Sequence, residues 1–445
     1  MSDQQDLNAQ RDQLSAAKRA LLEKRLRGER VMPDSRPLHV AQNLSSATGP
    51  ADLRAEVTLD AAIYPADRSV RAGLPGQILL TGATGFLGAF LLRELLEQTT
   101  AMIFCLVRCR DLEQGRARIE QVLQSYGLQH LDWRDRVMPL PGDLAQPLLG
   151  LSEQQFGELA QRVEAIYHCG AMVNNVAPYA TLKPSNVDGT HEVLRLACQT
   201  TAKPLHLIST LSVFPRSQTL LAEDDTPELE VGVTNGYTES KWVAEQLALA
   251  ARSRGLPVTV YRPGSIAGDS QTGALSPKEF MFSMIKGCIQ LGAIPDLPVL
   301  VDMTPIDYVS KVIVYLSLQP ASRDKVFHPV NPELCTMGEL GDMLRSYGYT
   351  LATVPYAEWR ARLLAAVAQS DTNALFPFVS LFLPAEIAEQ LSRPRSLTID
   401  CRNTTAALSG TSIVYPPLDA ELLKKYIDYL VRTDFLTPPD DARVA

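Results

Sequence analysis

The sequence predicts an α/β protein with a doubly wound parallel sheet and a smaller, mainly helical C-terminal part. Two observations carry this expectation. From Gln77 to Tyr261, short apolar runs alternate with stretches of helical periodicity, as parallel strands joined by crossover helices require. At the head of that series, the run Gln77–Thr81 passes through Gly82, Gly85 and Gly88 into a helical pattern. A continuous apolar run that changes to helical spacing across glycines reads as buried strand, tight turn and helix.

Taken in order, the strands are expected at 77–81, 102–107, 137–140, 165–167, 206–209 and 258–261. Helical patterns lie between them at 89–97, 112–125, 153–162, 186–198 and 237–253. The texture changes after Gly273. Helices are expected at 278–291 and within 302–318, and helical segments dominate from about 336 to 430. The aromatic clusters at 375–378 and 381–383 suit either a substrate lid or ordinary core. Ahead of the sheet, residues 15–27 carry an amphipathic helical pattern that is locally basic, through Lys18, Arg19, Lys24, Arg25 and Arg27. That segment suits a docking element or a solvated helix that frays.

Composition narrows the function. A net charge of −8 argues against general nucleic-acid binding, which needs a basic footprint. The N-terminus is acidic and polar, unlike a secretory signal, and no apolar run reaches bilayer length. Seven scattered cysteines without paired spacing predict reduced thiols, no metal site and a cytoplasmic protein.

The glycine spacing fits a dinucleotide loop of Rossmann type. Gly82 can make the turn, Gly85 admits a pyrophosphate, and Gly88 lets helix and strand pack closely. A Gly-rich turn in any α/β sheet is the plainer alternative. Arg108 lies 20 residues beyond Gly88, directly after the second strand. An arginine at that position favours the 2′-phosphate of NADP, where an acidic residue would favour NAD. Arg118 on the next helix is a second candidate, and Asp111 lies past the strand end. Asp143, after the third strand, is suited to the adenine edge. Tyr237 and Lys241 stand four apart on one helical face, where an ammonium can lower the phenol pKa toward the working range. Thr210, at the end of the fifth strand, can donate to a developing oxyanion.

Together these stretches resemble an extended short-chain dehydrogenase/reductase, and specifically the thioester reductase domains of nonribosomal peptide and polyketide synthetases and carboxylic acid reductases. The resemblance rests on Thr81 through Gly88, Cys105–Arg108, Gly142–Leu144, His168–Ala171, Asn186–Thr190, Ser209–Val213, Tyr237–Lys241, Arg262–Ser270 and Val301–Tyr308. It implies Thr210, Tyr237 and Lys241 as the catalytic set. Cofactor contacts are implied from Gly82, Thr84, Gly85, Phe86, Leu87, Gly88, Arg108, Asp143, Leu144, Ala171, Pro263, Gly264 and Ile266, with Tyr237 and Lys241 shared. The implied domains are an N-terminal helix and linker (1–50), an NADP-binding Rossmann domain (51–274) and a substrate-binding region (275–445) whose residues 300–332 pack back on the sheet. The implied reaction is NADPH-dependent reduction of an acyl or peptidyl thioester, held on the phosphopantetheine of a carrier protein, to an aldehyde or further to an alcohol. A monomer with neither nucleic-acid nor membrane partners is expected. The rivals are a reductase or epimerase of a free small molecule and a catalytically silent NADP sensor.

Overall fold

Seven parallel strands form the central sheet: β1 (Gln77–Thr81), β2 (Met102–Val107), β3 (Val137–Pro141), β4 (Ala165–His168), β5 (Leu205–Ile208), β6 (Val258–Tyr261) and β7 (Val326–Phe327). Their spatial order is β7-β6-β5-β4-β1-β2-β3, so the order reverses between β1 and β4. Such a reversal opens a crevice at the carboxyl ends of the strands, where α/β proteins bind ligands. This computed structural model describes residues 50–65, 67–69, 73–215, 217–229, 235–383 and 397–439. The basic helix expected at 15–27 lies outside the described residues.

The sheet is buried on both faces, and its strands are mostly apolar on both. Ile78 and Leu80 of β1 face a core shared with α2 (Phe86–Gln98), α3 (Leu112–Ser125) and α9 (Ile306–Ser317). Leu79 faces the opposite core, made with α4 (Glu153–Arg162), α6 (Gly189–Cys198) and α7 (Gly236–Ser253). Ile78, Leu79 and Leu80 have no exposed surface, so alternation between polar and apolar residues is lost and a continuous hydrophobic run results.

β7 was not foreseen. It is two residues long and gives no periodic signal, yet it completes the sheet edge beside β6. Between them α9 packs against α2, bringing 306–317 back onto the sheet. The helix expected at 186–198 begins earlier, as α5 (Tyr179–Lys183), and passes through a π turn at Pro184–Asp188 into α6. Pro184 supplies no backbone N–H, and the wider turn carries the chain past it without a break.

A third core lies among the C-terminal elements. It includes α8 (Phe280–Leu291), α10 (Met337–Tyr347), α11 (Tyr356–Gln369) and α13 (Ala420–Arg432), packed around Phe282, Leu340, Leu344, Trp359 and Tyr426. Trp359 is fully buried and meets Phe382 edge to face at 5.3 Å. Part of the aromatic cluster at 381–383 is therefore core.

Candidate active site

At the end of β1 the backbone turns through Gly82, whose φ of +79° suits glycine. A Cβ on Gly82 would come within 2.7 Å of the Gly170 nitrogen, so β1 and the β4 loop touch through bare backbone. A Cβ on Gly88 would lie 1.9 Å from the Gly82 carbonyl oxygen. These contacts hold the start of α2 directly against the strand end. Gly85 is the helix N-cap and provides no side-chain cap, and no acidic residue lies in the first turn. The first amides of α2 thus lack intrahelical acceptors, and Phe86, Leu87 and Gly88 line the cavity in front of them. Unfilled N–H groups at a positive helix end form an anion cradle, so the site fits a dinucleotide pyrophosphate.

One cavity of about 930 Å³ runs from this cradle into the C-terminal elements. Its wall gathers Gly82, Thr84, Gly85, Phe86, Leu87, Gly88, Arg108, Asp143, Leu144, Ala171, Thr210, Tyr237, Lys241, Pro263, Gly264 and Ile266. Arg118 is not part of that wall. Its guanidinium donates to the carbonyl oxygen of Arg108 and so braces the backbone beneath that residue. Arg108 itself is exposed at the end of β2. Asp111 is engaged elsewhere, accepting from Gln114 N at 2.8 Å as the cap of α3.

His168, at the end of β4, bridges Thr81 Oγ1 at 2.8 Å and Thr190 Oγ1 at 3.0 Å. Burial lowers its pKa to about 3, so it is neutral and holds the strand ends together. Asn186, in the π turn, donates to Met172 O and to Ser240 Oγ, fixing α7 relative to the β4 loop.

Thr210 caps the short 3₁₀ turn Leu211–Val213, its Oγ1 accepting from Ser212 N at 3.2 Å. Lys241 Nζ donates to Ile208 O at 2.7 Å, and burial lowers its pKa to about 8. Tyr237 behaves differently from the expectation that the lysine would acidify it. Burial, with the Glu279 carboxylate as the next contributor, raises its pKa. The Lys241 ammonium is committed to a β5 carbonyl, and desolvation of the phenolate prevails.

Beneath these residues lies a network not visible in the motifs. Glu245, one turn beyond Lys241, forms an ion pair with Arg262 at 2.7 Å, and both side chains are at most 1% exposed. Ser209 Oγ donates to the same carboxylate. Leu211 N donates to Pro263 O at 2.9 Å. The loop bearing Thr210, the helix bearing Tyr237 and the loop bearing Pro263 are thereby tied at one point. Sequence reasoning also missed Glu279, Phe280 and Met281, which line the cavity. Their only local signal is a carboxylate before an apolar helical run.

Sheet order, glycine cradle and the Thr210, Tyr237, Lys241 set define a reductase of the extended short-chain dehydrogenase/reductase class. Comparison with known proteins narrows this. The model of the Male sterility protein family matches residues 80–313. A linear gramicidin synthase of Brevibacillus parabrevis is 40% identical over 418 residues, which is 91% of this chain and 8% of that protein. The terminal R domain from the myxalamid PKS-NRPS biosynthetic pathway superposes with a TM-score of 0.83 at 41% identity, covering 88% of this chain and all of that one. A thiolation-reductase di-domain from an archaeal non-ribosomal peptide synthetase gives a TM-score of 0.69 at 25% identity, covering 94% of this chain and 85% of that one. The chain belongs to the Male sterility protein family and is similar over most of its length to the terminal R domain of the myxalamid pathway. It spans well under half the length of the curated relatives it matches.

Proposed function

We propose that the chain releases an acyl or peptidyl group from the phosphopantetheine thioester of a carrier protein by NADPH-dependent reduction to an aldehyde. The observation that carries this reading is the continuity of the cavity. The anion cradle, the Thr210, Tyr237 and Lys241 set and an apolar lobe lined by Phe280, Leu381 and Phe382 share one space. Similarity to synthetase-borne reductase domains supports the carrier as partner.

When bound, NADPH supplies the hydride that no side chain can. The amides of the α2 N-terminus and Arg108 would hold its phosphates, and Asp143, Leu144 and Ala171 would contact its adenosine part. The engagement of Asp111 in capping supports the 2′-phosphate over a free ribose. Thr210 and Tyr237 donate to the oxygen of the thioester carbonyl as it gains charge, and Tyr237 gives up its proton there. Thr210 Oγ1 accepts from Ser212 N at 3.2 Å and lies 3.0 Å from Ser212 Oγ; with Ser212 Oγ as the donor of that second bond, the Thr210 hydrogen turns toward the cavity. Lys241 is charged below about pH 8 and orients the ribose. Substrate binding is assigned to 275–445, and a monomer in the cytoplasm suits the reading. Among the described residues no helix is long and apolar enough to cross a membrane.

The test is NADPH oxidation with one acyl group presented on a carrier protein, on coenzyme A and as the free aldehyde. Highest kcat/KM on the carrier is expected. Turnover confined to the free aldehyde, or a preference for NADH, would overturn the assignment.

A further inference from the structure

Glu279 is not used by the chemistry above, although its side chain shares the cavity wall with Tyr237. It occupies the N-cap position of α8 and makes no cap hydrogen bond, so its carboxyl group is not engaged by the helix end. Among the described residues no ion pair or hydrogen bond to its carboxyl group compensates its burial. The titratable groups that face it are Tyr237 from α7 and Tyr126 at the end of α3, both uncharged near neutrality. Lys278, its neighbour in sequence, is exposed. Desolvation without a compensating charge lifts the carboxyl pKa to about 7, so near neutrality much of it carries a proton.

The proposed reaction needs such a proton. Hydride addition leaves an oxyanion, to which Tyr237 gives its proton, making a thiohemiacetal. On collapse the C–S bond breaks and its electron pair leaves with sulfur. The hydroxyl proton returns to the Tyr237 phenolate as the carbonyl forms. Tyr237 is then as it began, and sulfur is still one proton short. A bare thiolate is poorly tolerated in this cavity. Burial pushes the thiol of Cys169, in the same wall, up to about 12.

We propose that Glu279 is a further catalytic residue, the general acid that protonates the departing phosphopantetheine sulfur and is reprotonated by water. No change of oxidation state accompanies this transfer. The inference rests on the thioester reading above, and it makes the role of Glu279 specific to release. Its importance should follow the basicity of the leaving thiol.

The experiment compares wild type and Glu279→Gln on two thioesters of one acyl group, an alkyl thioester of pantetheine and an aryl thioester of thiophenol. Turnover of the alkyl thioester should fall about a hundredfold, the lower range for loss of a positioned acid. The aryl thioester, whose thiolate leaves unaided, should lose little. In wild type the alkyl reaction should slow as pH rises through about 7, where Glu279 loses its proton, and the variant should lack that limb. Unchanged NADPH binding and thermal midpoint in Glu279→Gln establish that the variant is folded. Equal losses on both thioesters, or no loss on either, would overturn the proposal. If wild type reduces neither thioester, the thioester reading itself fails.

Discussion

Backbone walls the glycine-loop half of the cavity, whereas side chains wall its apolar half. In the first, a Cβ added to Gly82 would meet the Gly170 main chain, and one added to Gly88 the Gly82 main chain, inside 3 Å. Main chain held in a seven-stranded sheet cannot step aside. In the second, Phe280 meets Phe378 edge to face at 5.2 Å and stacks on Phe382 at 6.4 Å, while a two-residue strand pair contributes Leu221 and Ile399. That pair is clasped by Glu223, whose carboxylate accepts from His328 N at 2.8 Å and Thr404 N at 3.1 Å. Side chains have rotamers and can yield. One half is therefore expected to tolerate no change, and the other to be tuned by change.

Gly88→Ala should produce the largest effect. The new methyl would lie 1.9 Å from the Gly82 carbonyl, so α2 must move off the strand end. Over-packing of that kind costs about 1–3 kcal/mol of stability. The loss of function should be out of proportion to it, because the displaced helix end no longer aims its amides. NADPH titration monitored by fluorescence should detect no binding in a protein that still melts cooperatively. Ordinary NADPH affinity would mean that this half is as pliant as the other.

Next comes Tyr237→Phe, at the junction of the two halves. It should lower turnover about 10²–10⁴-fold with NADPH affinity retained, since the hydroxyl acts on the reacting carbonyl. A loss of similar size in NADPH binding would instead make Tyr237 part of the cradle.

The same contrast governs what could be read from the sequence. Gly82, Gly85 and Gly88 were legible because a backbone contact demands glycine at fixed spacing, and spacing survives in one dimension. Arg108 was legible because it follows a strand of known length. Tyr237 and Lys241 share a helical face, a spacing that gained weight only from Thr210 upstream, and it could not show that Lys241 Nζ would be held by the Ile208 carbonyl. Glu279 was not legible, since its neighbours Tyr237 and Tyr126 lie on other elements and only burial marks it. The tie between Glu245 and Arg262 spans 17 residues and two elements, with no motif joining them. β7 was too short to stand out, and the early start of the 186–198 helix was masked by Pro184.

A smaller effect is expected from Arg108→Ala, which tests a side chain within the backbone-walled half. The exposed guanidinium at the end of β2 lines the cavity. Losing one charge-assisted phosphate contact is worth about 1.5–3 kcal/mol, or roughly ten- to hundredfold in KM for NADPH. NADH should be used almost as before. An equal loss for both cofactors would point to a collapsed loop, since Arg108 also presents the carbonyl that Arg118 grips.

The smallest effect is expected from Phe280→Leu in the apolar half, and it probes the contrast most closely. Phe280 is half-buried, lines the cavity, and holds two aromatic neighbours, Phe378 and Phe382. Leucine keeps most of the apolar area but forfeits the ring contacts, each worth about 0.5–1.5 kcal/mol beyond area. Losing the equivalent of one such contact in the bound complex corresponds to about a two- to tenfold change in kcat/KM, felt by long acyl groups that reach the lobe and not by short ones. The KM for NADPH and the thermal midpoint should stay near wild type, because the surrounding side chains can repack. Measuring a short and a long acyl thioester at fixed NADPH, then NADPH at fixed thioester, separates the two halves. Were the substitution to weaken NADPH and both thioesters alike, the apolar wall would be setting the geometry of the glycine loop, and the two halves would be one rigid unit.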